Sequence, residues 1–155
     1  MLILPLLASC GLAHAATGEK RYKVPNAAME PAIKENSTVT TTAVKPGDYQ
    51  PADGDIVLLR IPASWGESGL LLLRVVGIPG ETITCCDGTD GQLKRNGQWA
   101  DEPYLAKGGQ TATFDPVKVP AGEVYLMEDN RGRSNDSAQH GPAPVDAVTG
   151  LVKLG

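Results

Sequence analysis

Asp55-Ile56-Val57-Leu58-Leu59-Arg60-Ile61, stopped by Pro62, and the run from Leu70 to Ile78, closed by Pro79-Gly80, decide the fold class of this chain. Each is a short apolar run bounded by turn residues, which is how a buried strand reads. Working outward, Asp53-Gly54 supplies a turn before the first run, and Ser37 to Val44 is rich in Thr and Val, a composition that favours a strand. Thr82 to Cys86 and Gln92 to Arg95 flank Asp87-Gly88-Thr89-Asp90-Gly91 as a hairpin, and Asn96-Gly97 marks a tight turn. Val117 to Val119, Val124 to Met127 and Val148 to Leu154 add further strands. The only helical candidates are short, such as Met29 to Lys34 after Asn26. Short strands punctuated by Gly and Pro imply a mainly β fold of antiparallel sheets.

Composition agrees. The chain has 155 residues and fits one compact domain with room for a small subdomain. Its 18 glycines and 12 prolines are too many for a helical bundle. Hydrophobic residues at 41% allow a modest core, and aromatics at 5% leave that core to Val, Ile and Leu. A net charge of −4 argues against a nucleic-acid-binding surface. There is no internal repeat and no low-complexity stretch.

Residues 1–18 contain no Asp, Glu, Lys or Arg and begin with the apolar run Leu2-Ile3-Leu4-Pro5-Leu6-Leu7-Ala8. They read as an export or membrane-anchoring segment. Leu7-Ala8-Ser9-Cys10 looks like a lipobox that would lipidate Cys10, and Ala13-His14-Ala15 looks like a signal-cleavage site. No basic residue precedes the run, so a truncated anchor with its start further upstream is the alternative. Residues 19–155 form the β domain.

Export would give the cysteines an oxidising environment. Cys10 is the odd one out, whereas Cys85-Cys86 are adjacent, and packed thiols at a strand end are favoured over a strained disulfide between neighbours. His14, His140 and the three cysteines never approach ligand spacing, so no metal site is expected.

The order of four phrases resembles the bacterial (actinobacterial-like) type I signal peptidase family, Ser/Lys proteases that remove signal peptides from exported proteins. Val24-Pro25-Asn26-Ala27-Ala28-Met29-Glu30-Pro31-Ala32-Ile33 stands against P-S-x-S-M-x-P-T-L, and Gly54-Asp55-Ile56-Val57 follows it. Leu73-Arg74-Val75-Val76-Gly77-Ile78-Pro79-Gly80-Glu81 stands against K-R-V-I-G-x-P-G-D. Glu128-Asp129-Asn130-Arg131-Gly132-Arg133-Ser134-Asn135-Asp136-Ser137 stands against G-D-N-R-x-x-S-x-D-S. Asn96-Gly97 and Asp101-Glu102-Pro103-Tyr104-Leu105 match two further family phrases. The resemblance spans about residues 22–155 and is specific as an ordered set. It implies a signal-peptidase-type fold of antiparallel sheets, with a small inserted β subdomain over about residues 82–120, and no cofactor.

The departures from that pattern bear on the chemistry. The family's nucleophilic serine falls on Ala28 and its general-base lysine on Leu73. A Ser/Lys protease needs a hydroxyl to attack the scissile carbonyl and a neutral amine to take its proton. Ala28 and Leu73 provide neither, and the Arg74 guanidinium stays protonated. The resemblance places an oxyanion-stabilising side chain at Asn26, which still offers an N–H donor. It places Met29 and Pro31 beside the small-residue pockets of a peptide groove. It makes Arg74 and Asp129 an ion pair bracing the site, with Asn130, Arg131, Ser134, Asp136 and Ser137 in the same supporting phrase. Ser134 would orient the missing lysine. Asp136 would pair with an arginine two places on, where Ala138 now stands, or find another partner such as Arg133.

Ile61-Pro62-Ala63-Ser64-Trp65 offers a membrane-facing patch, though Trp65, like Trp99, reads more simply as a packing residue. The reading implied is a non-catalytic, extracytoplasmic homologue, membrane-anchored or secreted, that binds signal peptides or preproteins, or another envelope protein. The alternatives are an active peptidase with atypical residues and a structural or interaction lipoprotein.

Overall fold

The computed structural model describes residues 18–86, 91–105, 111–132 and 135–154. They form two antiparallel sheets. The larger uses β1 (Glu19–Lys23), β2 (Thr38–Ala43), β3 (Ile56–Arg60), β4 (Leu70–Gly77), β9 (Glu123–Met127), β10 (Ala143–Pro144) and β11 (Val148–Lys153), in the order β1-β2-β11-β3-β4-β9-β10. The smaller uses β5 (Thr82–Cys85), β6 (Lys94–Arg95), β7 (Gln98–Trp99) and β8 (Phe114–Lys118), in the order β7-β6-β5-β8.

The two deciding runs lie side by side at the centre of the larger sheet, Val57 opposite Leu73 and Leu59 opposite Leu71. They are apolar at successive positions because both faces are covered, which removes the usual alternation. On one face Val57, Leu59, Leu73, Val75, Leu126 and Val148 pack with Tyr49 and Trp65. On the other, Ile56, Leu58 and Leu72 pack with Val24, Met29 and Ile33. A third cluster joins the sheets, with Val76, Tyr125 and Met127 meeting Ile83, Leu93 and Val119. Gly77 sits at this junction, where a Cβ would lie 2.6 Å from the Ile83 side chain.

Asn96-Gly97 forms the β6–β7 turn with positive φ at both residues (51° and 78°), the backbone that a tight hairpin demands. Thr82 N–H donates to Asn96 Oδ1 at 2.9 Å, tying the turn to β5. Arg95 donates to Val76 O at 2.9 Å and pairs with Asp53, which clamps the smaller sheet to the larger.

Several expectations need correction. Met29 to Lys34 is a series of turns with one helical bond, Ile33 N–H to Met29 O at 2.8 Å. Pro31 brings no N–H and disfavours helical backbone at Glu30. Among the described residues the α-helix, α1 (Ser137–His140), comes instead after Asp136, whose side chain accepts from Ala138 N–H as its N-cap. Cys85 and Cys86 are joined as a disulfide rather than packed as thiols, with Cys85 buried. Trp65 is buried and stacks on His140 with ring centroids 4.7 Å apart, so it packs. Trp99 does not: it is 51% exposed beneath the Lys94 ammonium. Cys10, the processing signals and the hairpin turn at 87–90 lie outside the described residues. Among the described residues, no helix is long and apolar enough to cross a membrane.

Candidate functional site

The loop after β1 is pinned at both ends before any chemistry is considered. Val24 N–H donates to Ser37 O and Asn36 N–H to Val24 O, both at 2.9 Å, while Val24, Met29 and Ile33 bury their side chains beneath the sheet. Between the anchors, Asn26 and Ala28 form one wall of a narrow cleft whose other wall is Leu70, Leu71 and Leu72 of β4. Its cavity is about 10 Å³, room for a single water molecule at most.

Ala28 is buried in this wall and carries only a methyl group. Leu73 is fully buried in the apolar cluster of Val57, Leu59 and Leu126, and is not part of the cleft lining. Met29 lines the cleft and belongs to the core, whereas Pro31 is exposed and borders a separate hollow with Lys34 and Thr38. The Asn26 side chain lies half-buried, its Oδ1 accepting from Ala28 N–H at 3.0 Å.

The supporting residues converge behind this loop. Asn130 donates its backbone N–H to Ala28 O at 2.9 Å and its Nδ2 to Ala27 O at 3.2 Å. Arg74 makes a two-pronged bond to Asp129 at 2.8 and 2.7 Å, donates to Gly54 O at 2.9 Å and lies 4.0 Å over the Tyr104 ring. Burial opposes the Arg74 charge, but the Asp129 carboxylate outweighs it and raises the guanidinium pKa. That cation is fully engaged and takes no proton.

Arg131 donates to Glu128 O at 2.7 Å and forms a buried ion pair with Glu102. Glu102 also accepts from Leu93 N–H and from the Tyr104 hydroxyl, both at 3.2 Å. Glu102 and Tyr104 were not singled out from the sequence. The signal was present in Asp101-Glu102-Pro103-Tyr104-Leu105, which matched the family without suggesting a role. Asp136, left without an arginine at position 138, accepts instead from Glu128 N–H and Ala138 N–H. The Ser137 hydroxyl accepts from Leu126 N–H at 2.9 Å. Ser134 and Arg133 lie outside the described residues.

A hydrogen-bonded scaffold thus presents a cleft whose central residue is alanine. The architecture is similar to the crystal structure of a signal peptidase I from Enterococcus faecalis, with a TM-score of 0.56 and 27% identity, covering 68% of this chain and 98% of that one. The class is therefore the signal peptidase I type of β protein. Residues 1–154 match the family described as signal peptidase, peptidase S26, and the chain belongs to that family. It is 30% identical over 137 residues to a probable signal peptidase I-1 of Synechocystis sp., covering 85% of this chain and 67% of that protein. It is 35% identical over 127 residues to a signal peptidase I of Bacillus amyloliquefaciens, covering 75% of this chain and 63% of that protein. A signal peptidase I V of Bacillus subtilis is 31% identical over 144 residues, with 84% and 82% covered. The chain spans 63% of the length of the signal peptidase I of Mycobacterium tuberculosis, to which it is 29% identical.

Proposed function

We propose that this chain is a non-catalytic signal-peptidase homologue that works outside the cytoplasm and binds extended peptides, signal peptides foremost, without cutting them. The observation that carries the reading is Ala28 on the cleft wall, with Leu73 buried in the apolar cluster of Val57, Leu59 and Leu126. Acyl transfer needs a nucleophile and a base to deprotonate it. A methyl group and an isobutyl group provide neither, and Arg74 is committed to Asp129 and Gly54.

Peptide binding is supported by the sheet itself. Leu70 to Leu73 pair with β3, while β9 joins β4 only from Arg74 onward. One edge of Leu70 to Leu73 therefore has no ladder partner among the described residues, and it runs beside the cleft. An added strand would satisfy those backbone groups. The apolar opening segment and Cys10 support attachment to the outer face of a membrane, and an envelope protein presenting an extended segment is a partner of the same chemistry.

The test is to incubate the full chain with a synthetic signal peptide beside an Ala28→Ser/Leu73→Lys variant. The expected result is that the unaltered chain binds and does not cleave, while the double variant cleaves. Cleavage by the unaltered chain, lost on mutation of its own cleft, would overturn the reading in favour of an active peptidase. Neither binding nor cleavage by two well-folded proteins would leave a structural lipoprotein.

A further inference from the structure

The carbonyls around Ala28 are already engaged. Ala27 O accepts from Glu30 N–H and Asn130 Nδ2, Ala28 O accepts from Asn130 N–H, and Met29 O accepts from Ile33 N–H. The backbone donor of residue 28 is engaged as well, Ala28 N–H donating to Asn26 Oδ1 at 3.0 Å. The cleft beside it has space for one water and no more. A peptide strand seated between Asn26 and Leu72 therefore has to part these walls, and it finds no free backbone donor at residue 28.

We infer that Asn26 is an intramolecular latch on this cleft: its amide oxygen holds the donor that a bound peptide carbonyl would take, and the peptide binds only by displacing it. The inference rests on the peptide-binding reading above and adds its regulation. An asparagine suits this role because its amide oxygen reaches the N–H two residues on, and because it is neutral. Exchanging one neutral acceptor for another at the same N–H changes little free energy, so the latch yields to a ligand that also fills the sheet edge. An aspartate would hold the same N–H as a charged acceptor and yield less readily.

The experiment compares the full chain with Asn26→Ala and Asn26→Asp variants, using a synthetic peptide with a lysine-led start, a leucine core and an Ala-Gln-Ala end. Affinity is read by fluorescence anisotropy and the Ala28 amide by hydrogen exchange. Asn26→Ala should expose the Ala28 amide to faster exchange and bind the peptide roughly fivefold tighter, the value of about one neutral hydrogen bond. Asn26→Asp should keep the amide protected and bind more weakly than the unaltered chain. Equal or weaker binding by a folded Asn26→Ala variant overturns the latch alone, and weaker binding would make the Asn26 amide N–H the peptide's donor. An Ala28 amide as protected in Asn26→Ala as in the unaltered chain overturns it too. Binding by none of the three proteins overturns the latch and the peptide-binding reading together.

Discussion

Asn130 holds Ala28 in place: its backbone N–H meets Ala28 O at 2.9 Å, and its side-chain Nδ2 meets Ala27 O at 3.2 Å. These residues lie about a hundred positions apart, so the pair fastens the cleft loop to the segment after β9. A loop with no regular structure of its own depends on such bonds for its shape. Asn130→Ala should cost about 1 kcal/mol of stability, one side-chain hydrogen bond, and should weaken peptide binding by displacing Ala28. Urea unfolding and peptide titration check this, with Asn130→Asp, which loses the same donor, as the companion. A lowered unfolding midpoint with unchanged peptide affinity would show that the bond stabilises the fold without shaping the cleft.

Arg74 and Asp129 make the sharper case, since both are buried and each satisfies the other. Asp129→Ala leaves a guanidinium buried against Tyr104 without its counter-ion and should cost about 3–5 kcal/mol. Replacing both, as Arg74→Met/Asp129→Leu, should cost less than the single change because no charge is stranded. Denaturant unfolding of the two variants measures the difference, and a double variant less stable than Asp129→Ala would contradict the argument.

Much of this arrangement was legible in the residues. The central strands announced themselves because a strand covered on both faces must be apolar throughout, and β3 and β4 are. Asn96-Gly97 was legible because a two-residue hairpin turn asks for positive φ. β1 was not: Glu-Lys-Arg-Tyr-Lys lies on the sheet edge with most side chains in water, so no hydrophobic pattern marks it. The helix Ser137–His140 is shorter than two turns and leaves no periodicity to read. At the site, ordered phrases pointed to Arg74, Asp129 and Asp136. They gave no hint that Glu102 would pair with Arg131, a contact between segments far apart in the chain.

Gly77 is held by close approach rather than by backbone conformation. A Cβ there would meet Ile83 side-chain atoms at 2.6 and 2.8 Å and the Tyr125 Cβ at 3.1 Å, all within the cluster that joins the two sheets. Gly77→Ala should therefore lower stability by about 1–3 kcal/mol through overpacking. Gly77→Ala combined with Ile83→Val, which removes Cδ1 at 2.8 Å and keeps Cγ1 at 2.6 Å, should cost less than the two single changes added together. Thermal unfolding of the single and double variants decides it, since additive losses would mean that the Ile83 Cδ1 contact does not carry the clash.

The pH dependence of stability should carry the mark of Asp136. Its carboxyl is buried, and desolvation raises its pKa above the usual carboxylate value, although the N–H groups of Glu128 and Ala138 pull the other way. An acid whose folded pKa is raised contributes stability that is complete below its ordinary pKa and is lost as pH rises through the raised value. Relative to an Asp136→Asn variant, which does not titrate, the unaltered chain should gain stability as pH falls from neutral into that window. Asparagine can accept from only one of the two N–H groups, so the variant is also expected to be less stable at every pH. The measurement is the unfolding midpoint of both proteins across the acid range, taken as a difference so that other carboxylates cancel. A difference that shrinks on acidification would reverse the sign and show that the two N–H groups, rather than burial, set the Asp136 pKa.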